Sequence, residues 1–273
     1  MGRLQVLVAT MHQKDISLYK RMRLQSDAVV ANQNGENAVS TYIIDGNKVE
    51  MISTDTIGVG CNRNIALLAA DADILLFADD DISYYDGYKD AVLRAFEQRP
   101  NADMIVFRVD FSKNNVIYER SSVTKGRIRL WRALRYGACA LAVRRQSLLK
   151  ANVWFSQLFG GGCAFSSGED SLFLVECLRR RMKLFSDPFV LGNCATDTST
   201  WFRGYNQKYF YDKGIWLAAA FPRTKHLMKW YFWLKMQKKT DLPACEALRL
   251  IKRGIRGYRK QEQYCDSPLF EGK

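Results

Sequence analysis

A chain of 273 residues, 48% hydrophobic and 12% aromatic, is long enough for one large α/β domain with an appendage and too apolar for a disordered polypeptide. Its formal charge of +13 points to an anionic partner, whether nucleic acid, a phosphate-bearing substrate or an acidic membrane surface. Seven dispersed cysteines with no CxxC pair, and only two histidines, argue for reduced thiols in a cytoplasmic protein and against a zinc site.

Residues 4–9 read as a buried strand, entered through an apolar run too short for a signal peptide, and residues 10–13 as the loop that follows. A short helix over 17–22 precedes a second strand over 28–31, which ends in the turn cluster Asn32-Gln33-Asn34-Gly35. Strands over 40–44 and 49–53 and a helix over 62–70 come next. The run Ile74-Leu75-Leu76-Phe77-Ala78 then meets three consecutive carboxylates, Asp79, Asp80 and Asp81. An uninterrupted apolar run of this length suits a strand buried on both faces, and ligands of open α/β sheets bind at the carboxyl ends of such strands. Alternation along the strand sets Asp79 and Asp81 on one side and Asp80 on the other.

A helix over 88–98 and a strand over 104–107 complete the alternation expected of a doubly wound, mostly parallel sheet. Irregular or antiparallel strands are expected over 116–118 and 127–131, a further strand over 136–143, and a short helix over 145–150. The flexible run Gly160-Gly161-Gly162 is either a connector or a loop able to close over a ligand. Ser167-Gly168-Glu169-Asp170 opens a helix reaching Arg181, and residues 205–258 are helical, aromatic and basic, punctuated by Pro222 and Pro243. Nowhere do about 18 apolar residues run uninterrupted, so no bilayer span is expected.

Four stretches carry chemistry. Val8-Ala9-Thr10 offers backbone and hydroxyl contacts to a nucleotide base, or is a plain strand exit. Gly58-Val59-Gly60-Cys61-Asn62-Arg63-Asn64 is a glycine-flexible loop opening a helix, where the helix terminus and Arg63 suit an anion. It is neither a dinucleotide fingerprint, having Arg63 where the third glycine belongs, nor a Walker loop. Asp79-Asp80-Asp81 suits a hard divalent cation carrying diphosphate oxygens, or is a solvated acidic turn. Glu169-Asp170 is either a general-base pair or an acidic helix cap that complements the macrodipole.

In this order the stretches resemble the inverting glycosyltransferases of family 2, over approximately residues 4–205. Gly58 to Asn64 is similar to the family's Gly-Leu-Ser-x-Ser-Arg-Asn element, Asp79-Asp80-Asp81 to its Asp-x-Asp metal site, and Glu169-Asp170 to its Glu-Asp base element. Residues 199–204 resemble a segment of bacterial members that build exopolysaccharide or capsule. The resemblance implies a GT-A-type fold over 1–205, with a nucleotide-binding half (1–110), an acceptor half (111–205) and a helical basic segment over 206–273. It implies transfer of a sugar from a nucleotide diphosphate, a UDP-sugar in the first instance, to a glycan or a polyprenyl-diphosphate-linked acceptor. On that reading Ala9, Thr10, Asn32, Arg63, Asp79 and Asp80 meet the nucleotide-sugar, Asp81 with Asp79 holds Mn²⁺ or Mg²⁺, and Asp170 is the base with Glu169 beside it. Trp201 is a sugar-stacking face or a packing aromatic. Asn32-Gln33 stands where many relatives place an acid that binds uracil, and no late histidine ligand is evident, leaving Asp197 as the substitute.

Residues 221–260 hold twelve Lys/Arg against Asp241 and Glu246, which is +10 of the chain's +13. Leu248, Ile251, Ile255 and Tyr258 fall on one helical stripe, and Trp230, Tyr231, Phe232 and Trp233 add aromatics suited to an interface. Two readings are open: a peripheral contact with the anionic inner face of the cell membrane, or a helix packed on its own domain. No nucleic-acid motif is present. A nucleotidyltransferase of similar fold and a catalytically inactive binding module are the rival functions; Thr10-Met11-His12-Gln13 lacks the phosphate loop the former would want.

Overall fold

In the computed structural model, which describes residues 2–113, 116–118, 123–195 and 204–264, the run Ile74–Asp79 is a central strand buried on both faces. Leu75 and Phe77 enter one core cluster with Leu7, Val29 and Ala31, while Ile74, Leu76 and Ala78 enter the other with Val6, Val8 and Val30. Side chains alternate across a strand, so an apolar run with no polar interruption has to be covered from both sides.

The strands are β1 (Leu4–Met11), β2 (Asp27–Gln33), β3 (Ala38–Ile44), β4 (Asn47–Thr54), β5 (Ile74–Asp79), β6 (Ile82–Tyr84), β7 (Met104–Lys113), β8 (Val116–Tyr118), β9 (Gly126–Arg127), β10 (Leu141–Arg144) and β11 (Leu184–Ala195). The helices are α1 (Leu18–Arg21), α2 (Val59–Ala69), α3 (Tyr88–Gln98), α4 (Leu130–Ala133), α5 (Arg145–Ala151), α6 (Glu169–Arg179), α7 (Gln207–Ala220), α8 (Lys225–Met236) and α9 (Ala244–Gly257). One mixed sheet runs β3-β4-β2-β1-β5-β10-β7-β11-β6, with β8 paired to β7 and β9 to β11. The block β4-β2-β1-β5 is parallel, as expected, and so is β7 with β11. β10 is antiparallel to both its neighbours, which makes the sheet mixed at its centre.

Three expectations change. The strand expected over 136–143 is shorter, because a 3₁₀ turn at Ala138–Ala140 precedes β10. Over 127–131 only Gly126–Arg127 pairs, and Leu130–Ala133 is helical. β11 was not expected at all: Asp187-Pro188 interrupts it, and its pairing with β7 shifts register on either side of Val190.

The chain divides into two compact units, 1–157 with 169–199, and 158–168 with 200–273. The Gly160–Gly162 run therefore belongs with the helical unit. Within that unit Asp212 accepts from the Ser166 backbone N–H at 3.0 Å, the Ser166 hydroxyl at 2.8 Å and Lys208 Nζ at 2.7 Å. The Trp216 indole N–H donates to the Gly168 carbonyl at 3.0 Å. Among the described residues no helix is long and apolar enough to cross a membrane.

Of the stripe expected at Leu248, Ile251, Ile255 and Tyr258, only Ile251 and Ile255 are buried. α9 buries Ala247 and Leu250 with them, and it crosses α7 where glycines on both helices let the backbones meet. A Cβ on Gly254 would lie 2.0 Å from the Tyr211 carbonyl oxygen, and one on Gly214 would lie 2.2 Å from that of Ile251. Gly254→Ala should destabilise by about 1–3 kcal/mol through this overlap, measured by urea unfolding. An unhindered helical Gly→Ala change would stabilise by about 1 kcal/mol, so the sign alone tests the crossing.

Candidate active site

The carboxyl ends of β5, β1, β2 and β4 lie side by side, pairing Ala9 with Asp79, Thr10 with Asn32, and Asn32 with Ser53. This is the sheet edge where α/β folds bind ligands. Thr10 anchors it, its hydroxyl donating to Asp80 and its carbonyl accepting from Asn62 Nδ2 at 2.9 Å. Asn32 is fully buried; its side chain accepts from the Gln13 N–H and donates to the Gln13 carbonyl, both at 3.0 Å, and also donates to Ser53. It therefore shapes the loop after β1 from beneath.

α2 delivers the central residue. Its first turn lies against the chain at Ser156, where a Cβ on Gly60 would come within 2.1 Å of the Ser156 carbonyl oxygen. Asn64 fixes the same stretch by exchanging two 2.9 Å hydrogen bonds with the Phe155 backbone. Phe155 in turn stacks on Phe173 of α6, with ring centroids 4.0 Å apart, and meets Phe77 of β5 edge-on. Above this aromatic floor lies the Arg63 guanidinium, 5.3 Å from the Phe155 ring centroid.

Arg63 has a side chain only 4% exposed and is shared by three carboxylates. Nη2 donates to Asp79 Oδ1 at 2.7 Å, while Nη1 donates to Asp170 Oδ1 at 2.8 Å and to Glu169 Oε1 at 3.4 Å. Burial alone would lower its pKa, but Asp79, Asp170 and Glu169 outweigh burial and raise it further, so the cation is permanent. In this structure Arg63 forms a clamp tying the end of β5 to the start of α6.

Three carboxylates against one guanidinium leave excess negative charge, and the neighbouring acids respond. Burial first, then Glu169, pushes the Asp170 carboxyl up to about 7 against the opposing pull of Arg63. Asp81 is pushed up to about 6, by burial and then by Asp79, although a hydrogen bond with Cys194 opposes the rise. Asp81 Oδ1 is buried and has no hydrogen-bond partner, which suits it to a cation. Among the described residues no three His, Cys, Asp or Glu side chains converge on one ion position. A site with one or two carboxylates that draws its remaining oxygens from a phosphate-bearing ligand fits Mg²⁺ or Mn²⁺.

The structure thus gathers Asp79, Arg63, Glu169 and Asp170 into one hydrogen-bonded cluster, with Asp80 and Asp81 in the adjoining turn and Ala9 and Thr10 on the neighbouring strand. Trp201 and Asp197 lie outside the described residues. Sequence reasoning missed the turn Gly137-Ala138-Cys139, which borders Asp170: a Cβ on Gly137 would lie 3.4 Å from Asp170 Oδ2. A glycine followed by three small residues, just ahead of a strand, was the available signal. It also missed the reciprocal Asn64–Phe155 bonds, which no local pattern announces.

Replacing Arg63 by Met should destabilise the protein by about 3 kcal/mol at neutral pH, because the partly buried acids lose their shared counter-charge. In urea unfolding the loss should shrink as pH falls into the carboxylate range. A loss independent of pH would mean that Arg63 acts through packing alone.

Residues 32–153 match Glycosyl transferase family 2. No curated protein sequence matches the chain. Among solved structures the fold is similar to that of S. aureus TarS 1-349, with TM-score 0.61 and 12% identity over 96% of this chain and 93% of that one. The same protein in complex with UDP-GlcNAc matches with TM-score 0.59 and 12% identity, over 94% of this chain and 73% of that one. Its complex with UDP matches with TM-score 0.57 and 13% identity, over 94% and 72%. The chain thus has a GT-A-type α/β fold, and within it residues 32–153 are similar to glycosyl transferase family 2.

Proposed function

We propose that the protein transfers a sugar with inversion from a UDP-sugar to a hydroxyl of a glycan or lipid-linked acceptor in polysaccharide assembly. The observation that carries this reading is Asp170, a recessed carboxyl poised near neutrality and hydrogen-bonded through Arg63 to the acid at the end of β5. A base with a pKa near the working pH combines an adequate ionised fraction with real basicity. The solved complexes of S. aureus TarS with UDP and UDP-GlcNAc support the choice of donor.

In the proposed reaction Asp170 accepts the proton of the acceptor hydroxyl as that oxygen bonds to the anomeric carbon. Attack comes from the face opposite the diphosphate, and the departing oxygen leaves with the electron pair of the broken bond. Arg63 fixes the Asp170 carboxylate in one orientation, and Glu169, on the same nitrogen of Arg63, keeps its proton affinity high. Asp80, held by Thr10, and the backbone at Ala9 face the nucleotide from the strand ends. Mg²⁺ or Mn²⁺ held by Asp81 with Asp79 would supply the Lewis acid that neutralises the diphosphate, a need made acute by the negative charge already in the site.

Asp170→Asn should lower kcat by about 10²–10⁴-fold while UDP binding stays close to wild type. Near-wild-type transfer by this variant would exclude Asp170 as the base. The wild-type rate should climb with pH through about 7, because below that value the ionised fraction of a raised carboxyl falls about tenfold per pH unit. A rate that is flat from pH 5.5 to 8, about one unit or more to either side of the expected midpoint, would assign the proton transfer to another group.

A further inference from the structure

We propose that α8 is a membrane-surface helix, which seats the helical unit on anionic lipid through Leu227, Trp230, Tyr231 and Leu234. These residues stand at i, i+3, i+4 and i+7, and so line one side of a helix about 18 Å long. They are 71%, 45%, 45% and 56% exposed. The opposite side is already anchored, with Met228, Phe232 and Met236 buried, so the outer stripe is not needed to hold the helix in place. It differs from the stripe expected at the last helix, of which only Ile251 and Ile255 are buried.

Charge identifies the occupant. From Phe221 to Thr240 the sequence has six Lys/Arg and no acidic residue. Lys235 Nζ lies 5.9 Å from the Tyr231 ring centroid, which places a cation at the edge of the aromatic stripe, while Lys229 is buried on the inner side of the helix. A second copy of the chain docked by two-fold symmetry would set these six cations against six more. Nucleic acid would meet the charge but not the leucine and aromatic side chains. An interface of acyl chains beneath anionic headgroups satisfies both features, with Trp and Tyr at headgroup depth and Lys and Arg above. The contact proposed is therefore one of a helix lying in the plane of the membrane surface.

Co-sedimentation of the full chain with phosphatidylcholine vesicles, and with vesicles that also contain phosphatidylglycerol, tests the assignment. Binding should require phosphatidylglycerol and weaken as ionic strength rises. The double substitution Leu227→Ser, Trp230→Ser should reduce it by about tenfold or more, with thermal unfolding and UDP binding unchanged. Arg223→Glu with Lys235→Glu, which leaves the stripe intact, should weaken it as well. Equal binding to both vesicle types, binding indifferent to the stripe, or a chain that is dimeric until Leu227 and Trp230 are replaced would each overturn the proposal. Surface binding needs no donor, so its failure would leave the glycosyltransferase reading untouched.

Discussion

One buried guanidinium serving three carboxylates is the constraint on which this site depends. Arg63 lies over an aromatic floor on α2 and reaches Asp79 at the end of β5 and Glu169 and Asp170 at the start of α6. A cation that deep is tolerable only when paired, and acids brought so close together are tolerable only with the cation between them. Several local features follow from that requirement, among them the missing Cβ at Gly60, the reciprocal bonds between Asn64 and Phe155, and the stacking of Phe155 on Phe173. Each holds one wall of the Arg63 recess.

The same arithmetic of charge gives the site its chemistry. The cluster stays net negative after Arg63 is counted, so Asp170 and Asp81 hold their protons more tightly than ordinary aspartates. Two uses for such carboxyls are complementary in the proposed transfer. One takes a proton from an incoming hydroxyl, and the other, with its unpartnered oxygen, welcomes a divalent cation. In the proposed transfer an anionic diphosphate entering so acidic a recess would need that counter-charge, which would link donor binding to the metal through electrostatics rather than through shape.

Much of this was legible in the sequence because the signals are local. The apolar run into Asp79 specified a doubly covered strand, the glycines at 58 and 60 marked a flexible loop opening a helix, and Glu169-Asp170 marked another helix start. What escaped depended on partners distant in the chain. The carboxylate clamp on Arg63 escaped because its three acidic partners are 16, 106 and 107 residues away. β11 was hidden by Pro188 and by register shifts that only its neighbour β7 reveals. Helical periodicity picked out a stripe at the last helix of which only Ile251 and Ile255 are buried. α9 packs on α7 through the Gly214–Gly254 crossing instead by a face that adds Ala247 and Leu250, and an exposed stripe is on α8. Periodicity finds an apolar face without saying what it meets.

The most direct test of the account is calorimetric titration of UDP into the protein with and without Mn²⁺, on wild type and on Asp81→Asn. The account predicts binding that depends on Mn²⁺ in the wild type and that is weakened, with most of its metal dependence lost, in the variant. UDP binding that is indifferent to both the metal and Asp81 would contradict it.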